Sequence, residues 1–91
     1  MSMLQSEMKL DGNAIGGLLG EIFIPEMTTA QATCGSCGAV NSVGRVDVYV
    51  HAPGTVVRCP ACESVLIRIV HGRGRYWLDL TGARCIEVAE R

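Results

Sequence analysis

A chain of 91 residues is one domain, or one domain with an appended helix, and 48% hydrophobic residues exclude a disordered polymer. Eight Lys and Arg against nine Asp and Glu give a formal net charge of −1, which excludes a strongly basic nucleic-acid binder of the usual kind. A core this small leaves only a few kcal/mol of stability, so a second source of stability is expected.

Residues 1–9 read as a flexible tail. They lack a basic start followed by an apolar run, so they do not form a secretory signal. No apolar run approaches the roughly eighteen residues that span a bilayer. Reduced cysteines in such a chain fit the cytoplasm. Residues 10–24 are predicted as an N-terminal helix, with Asp11 as N-cap and Pro25 as the stop. At about 100° per residue, Ile15, Leu18, Leu19, Ile22 and Phe23 share one apolar face. Gly12, Gly16, Gly17 and Gly20 each cost about 1 kcal/mol against alanine, so the helix needs a packing partner. That partner is either the chain's own sheet or, through the glycine edge, a second chain.

From residue 26 to 91 the pattern changes to short strands. Thr28 to Thr33 is predicted as one strand. Val43 to His51 is another, with Val46, Val48 and Val50 alternating against Arg45, Asp47, Tyr49 and His51. Ala52-Pro53-Gly54-Thr55 suits a type II turn. Strands follow over Thr55 to Arg58, Ser64 to Val70 and Arg75 to Leu80, with a turn at His71-Gly72-Arg73-Gly74. Ala83 to Ala89 is compatible with a strand or a helical turn. Residues 10–91 then form a single folding unit, a helix followed by a mainly-β antiparallel meander.

Within the meander lie two Cys-x-x-Cys pairs, Cys34 with Cys37 and Cys59 with Cys62, and twenty-one residues separate Cys37 from Cys59. Two residues between cysteines let the backbone fold into a knuckle that presents both sulfurs to one ion about 2.3 Å away. Gly38 supplies unusual backbone freedom after the first pair, and Pro60 fixes φ inside the second. Four thiolates close a tetrahedral shell, which suits one structural Zn(2+) per chain. The same shell also holds a single iron, and a Cys-x-x-Cys can instead be a redox dithiol.

Outside this set, Cys85 is expected to be a buried small apolar residue. His51 and His71 sit at strand ends, as surface residues or as supports for the ligands. Charge is uneven, −3 over residues 1–44 and +2 over 45–91. Arg58, Arg68, Arg73, Arg75, Tyr76 and Trp77 form a constellation able to meet a polyanion, with Arg68, Arg73, Arg75 and Trp77 the candidate contacts. If Tyr76 faces the core, Arg75 and Trp77 face away from it together. No Gly-rich phosphate loop, Gly-x-Ser-x-Gly or His-Glu-x-x-His occurs, which argues against an enzyme, and no small-molecule substrate is evident.

The paired knuckles resemble the zinc-ribbon fold over residues 28–80. Leu10-Asp11-Gly12-Asn13-Ala14, Glu26-Met27-Thr28-Thr29-Ala30, Ala52-Pro53-Gly54 and Trp77-Leu78-Asp79-Leu80, with the four cysteines, extend a resemblance to a family of short bacterial proteins of uncharacterised function. That resemblance implies a fold and a metal but no activity. Cys-x-x-Cys-Gly followed by Cys-Pro-x-Cys is also similar to the rubredoxins, although Glu63 stands where a rubredoxin has Gly. Elongation-factor ribbons carry an adjacent Asp and Glu at the hairpin tip, whereas this tip reads His71-Gly72-Arg73-Gly74. The resulting expectation is a non-enzymatic, zinc-binding accessory module that meets a protein partner or a second copy through its helix. The alternatives are a nucleic-acid-binding ribbon in transcription and a rubredoxin-like electron carrier or thiol redox protein.

Overall fold

The computed structural model describes residues 9–51 and 54–90. Residues 1–8 of the expected tail, and Ala52 and Pro53 of the expected type II turn, lie outside the described residues. The chain opens with strand β1 (Lys9–Asp11), a 3-10 turn over Gly12–Ile15 and helix α1 (Gly16–Ile22). Further 3-10 turns, over Met27–Thr29 and Val43–Arg45, flank strands β2 (Gln31–Cys34) and β3 (Val40–Ser42). Strands β4 (Asp47–His51), β5 (Gly54–Arg58), β6 (Val65–Gly72), β7 (Arg75–Asp79) and β8 (Ala83–Glu87) follow among the described residues.

The structure is small, mainly β and antiparallel, with one short α-helix. β4, β5, β6 and β7 form the expected meander, and β1 extends it to five strands in the order β1-β4-β5-β6-β7. The chain departs from a single meander at β2, which pairs with β3 and β8 in a separate three-stranded sheet. Ala83 to Glu87 is therefore a strand, and the open choice there resolves to β.

The helix is shorter than the expected 10–24. Leu10 pairs with Val48 in extended backbone, and Asp11 caps the 3-10 turn instead, accepting the Asn13 N–H at 3.1 Å. Gly12 lies so close to the Val43 carbonyl that a Cβ would collide with it, which bends the chain there. The last helical bond runs from Phe23 N to Leu19 O at 2.8 Å, and Phe23 is already extended ahead of Pro25. Two expected strands are likewise trimmed at their starts by 3-10 turns. Thr29 Oγ1 donates to the Glu26 carbonyl and Thr28 Oγ1 to the Glu26 carboxylate, local bonds that compete with a ladder. Gly44 in the other turn packs on Asn13 and the Thr28 carbonyl.

The core lies between the inner face of the five-stranded sheet, α1 and the second sheet. Val46, Val48 and Val57 are fully buried, joined by Leu19, Met27, Leu66, Ile67 and Ile69. Leu18, Ile22 and Phe23 pack against this cluster half-buried. A cleft of about 280 Å³ opens between α1, β6, β7 and the end of β8, with Leu19, Phe23, Ile69, Leu78, Leu80 and Val88 among its lining residues.

Candidate metal centre

Each knuckle begins at a buried cysteine and ends at an exposed one. Cys34 is the last residue of β2, and its N–H bonds the Ala39 carbonyl at 2.8 Å while its carbonyl accepts from Gly38 N at 3.0 Å. Cys59 directly follows β5 and repeats the arrangement, its N–H on Ser64 O at 2.9 Å and its carbonyl accepting from Glu63 N at 2.7 Å. Both knuckles need a left-handed residue four positions after their first cysteine. Gly38 takes φ of 80° and Glu63 takes φ of 68°. Only the first knuckle has the residue that adopts this backbone without cost.

The two knuckles meet. Cys34 Sγ lies 3.7 Å from Cys62 Sγ, Cys37 Sγ lies 3.7 Å from Cys59 Sγ, and all four sulfurs fall within 4.8 Å of one another. A tetrahedron with metal–sulfur bonds of about 2.3 Å has edges of about 3.8 Å. A disulfide needs about 2.05 Å. The spacing thus fits one shared tetrahedral ion, and Cys34, Cys37, Cys59 and Cys62 would hold it. Zinc and iron fit such a shell equally well.

Backbone amides point at the sulfurs as the knuckle argument requires. Ser36 N and Cys37 N approach Cys34 Sγ at 3.3 and 3.5 Å, and Ala61 N approaches Cys59 Sγ at 3.4 Å. Ser64 Oγ sits 3.3 Å from Cys62 Sγ. As free thiols the four would not ionise alike. The Cys37 and Ser36 amides draw Cys34 down to about 6, against the opposing effect of desolvation. Cys62 is also lowered, first by the Ser64 hydroxyl and then by its amide. At Cys37 the Ala39 amide lowers the pKa, but desolvation and hydrogen bonds with Cys62, Cys59 and Cys34 outweigh it and push the thiol up to about 11. One crowded site resists accumulating thiolates until a cation offsets their charge.

The remaining candidates fall elsewhere. His51 is exposed at the end of β4, and His71 stacks on Tyr76 at 4.1 Å, so neither joins the four cysteines. Cys85 is exposed, contrary to the expected burial. It pairs with Thr33 on β2, and alternation turns the neighbouring Ile86 to the core instead. The helix face is used internally: Ile15 and Leu19 are buried, with Leu18, Ile22 and Phe23 against the same core. Trp77, Arg68 and Arg75 are exposed, and Arg73 occupies the β6–β7 turn at φ of 54°. No sequence pattern signals the apolar cleft, because its walls come from α1, two 3-10 turns and strands β6, β7 and β8, whose proximity no local pattern encodes.

Residues 5–91, nearly the whole chain, match the sequence profile of a family of unknown function (DUF6510). The chain belongs to this family. No curated protein and no solved structure matches it. Membership in DUF6510 thus identifies the chain without assigning it a chemistry, and the four-cysteine cluster is the feature that does. Among the described residues, no helix is long and apolar enough to cross a membrane.

Proposed function

We propose that this protein is a zinc-stabilised binding module without catalysis of its own, acting as an accessory or regulatory component in the cytoplasm. The observation that carries the reading is the closed shell. Four sulfurs at tetrahedral spacing leave no coordination position for water or substrate, so the ion acts structurally. The apolar cleft supports the same view, since its walls offer no polar side chain to orient a substrate or transfer a proton. Zinc is the favoured ion because four thiolates in a closed tetrahedral shell suit a structural zinc.

Metal analysis of freshly purified protein, with an absorption spectrum, tests the reading. About one zinc per chain and no visible colour supports it. Iron with visible charge-transfer bands makes the protein an electron carrier and overturns it.

A further inference from the structure

The outer face of the five-stranded sheet combines exposed aromatic surface with sorted charge. Register fixes its composition. Val70 is opposite Trp77, Arg68 is opposite Asp79, Val56 is opposite both Arg68 and Tyr49, and Lys9 is opposite Tyr49. These side chains alternate with the buried Val48, Val57, Ile67 and Ile69, so they share the face turned away from the core.

Three of the four aromatics are already engaged. Phe23 packs on the core, Tyr49 lies under the Arg58 guanidinium at 6.0 Å, and Tyr76 stacks on His71 and donates to Glu21. Trp77 has no such partner among the described residues. It is 51% exposed beside Val70, itself 38% exposed, and Gly54 next to Val70 adds no side chain to that face.

Charge along this face is uneven. Asp11 and Asp47 lie opposite each other toward the metal end, with Arg58 opposite Asp47. Lys9, Arg68 and Arg75 lie toward the β6–β7 turn, where Arg73 adds another cation. The acid among them, Asp79, lies opposite Arg68 and offsets part of its charge while accepting from Thr81 N at 3.0 Å and Thr81 Oγ1 at 2.7 Å. Glu21, Glu26, Glu63 and Glu87 belong to other elements, so a net charge of −1 conceals a basic platform.

We propose that this face binds single-stranded nucleic acid, with a base stacked on Trp77 and phosphates met by Arg68, Arg73, Arg75 and Lys9. The inference rests on the reading of the protein as a binding module and supplies its partner. A single strand is favoured over a duplex because the platform offers a flat stacking surface and no projecting element to enter a groove. An apolar protein surface would leave Lys9, Arg73 and Arg75 without counter-charge, since only Arg68 faces an acid, Asp79.

The test is fluorescence anisotropy of a labelled single-stranded oligonucleotide of about twelve nucleotides, titrated with zinc-loaded protein over a series of salt concentrations. Binding should weaken with salt, and Arg75→Ala should reduce the log–log slope by about 0.7. Trp77→Ala should weaken binding roughly 5- to 150-fold, while Trp77→Phe, which keeps a ring, retains most of it. Arg84→Ala on the other sheet is the charge-matched control and should leave binding unchanged. Zinc-loaded protein that ignores the oligonucleotide at low salt overturns the proposal while leaving the structural-zinc reading standing. So does a Trp77→Ala variant that binds as well as wild type. Equal affinity for duplex, or displacement by polyglutamate as effective as by unlabelled oligonucleotide, also overturns it.

Discussion

Glu63 holds a backbone conformation that glycine holds in the partner knuckle. A non-glycine residue in the left-handed region costs about 1–2 kcal/mol, partly offset because glycine has more freedom to lose on folding. Glu63→Gly should therefore raise the stability of zinc-loaded protein by about 0.5–1 kcal/mol, read as a shift in the denaturant midpoint at unchanged slope. The Glu63 carbonyl keeps its bond from Arg58 Nη1 at 2.8 Å in that variant, since only the side chain is lost. A second residue-scale expectation concerns Tyr76, whose hydroxyl donates to Glu21 at 2.5 Å. That bond raises its pKa, with desolvation and the Glu21 charge adding to the effect. The neutral phenol is favoured in the folded state, so this stabilisation is complete below the unfolded value near 10 and is lost as pH rises through the raised folded value. Spectrophotometric titration should show Glu21→Ala bringing the Tyr76 transition back toward that ordinary value. The clustering of the four cysteines was legible because their spacing is itself the signal. The strain at Glu63 was only half legible, since a departure from Gly is visible in sequence but φ is not.

At the scale of elements, strands with clean alternation were readable and segments held by distant contacts were not. β7 alternates and β6 is a nearly continuous apolar run, and both form nearly where the pattern places them, whereas β4 keeps its alternation but starts four residues late. β3 is Val40-Asn41-Ser42, too short and polar to signal itself, and it exists because β2 is beside it. The stretch before α1 shows the opposite case, where Asp11 and an apolar period suggest a helix but pairing with β4 wins. A helix of seven residues with three glycines has little intrinsic stability, so its anchor side chains decide whether it stays. Leu19→Ala should cost about 2–4 kcal/mol. Leu18→Ala, at a half-buried position, should cost clearly less in the same denaturant titration.

Across the whole molecule, the four sulfurs join two sheets that share no ladder. Cys34 ends a strand of the three-stranded sheet, whereas Cys59 follows a strand of the five-stranded one. The backbone bond from Gly35 N to Gly82 O at 2.9 Å adds a brace beside the same junction. Removing the ion should leave a crowded set of thiols and separate the sheets, so a strong chelator should lower the unfolding midpoint and release ordered signal from β2, β3 and β8 first. Circular dichroism and amide exchange, with and without chelator, would show this. Retained protection in all eight strands after complete metal removal would contradict it. The pairing of β2 with β8 was not legible, because β8 lies about fifty residues further along the chain and neither strand's pattern names its partner.

That junction also imposes an order in time. Synthesis proceeds from the N-terminus, so β2 and β3 emerge long before β8, the strand that completes their sheet. All four clustered cysteines are in hand once Cys62 has appeared, twenty-one positions before β8 begins at Ala83. An ion captured then fixes β2 against the emerging five-stranded sheet, and β8 arrives at an edge already held in place. Metal present while the chain folds, rather than added afterwards, would then set how readily the second sheet closes.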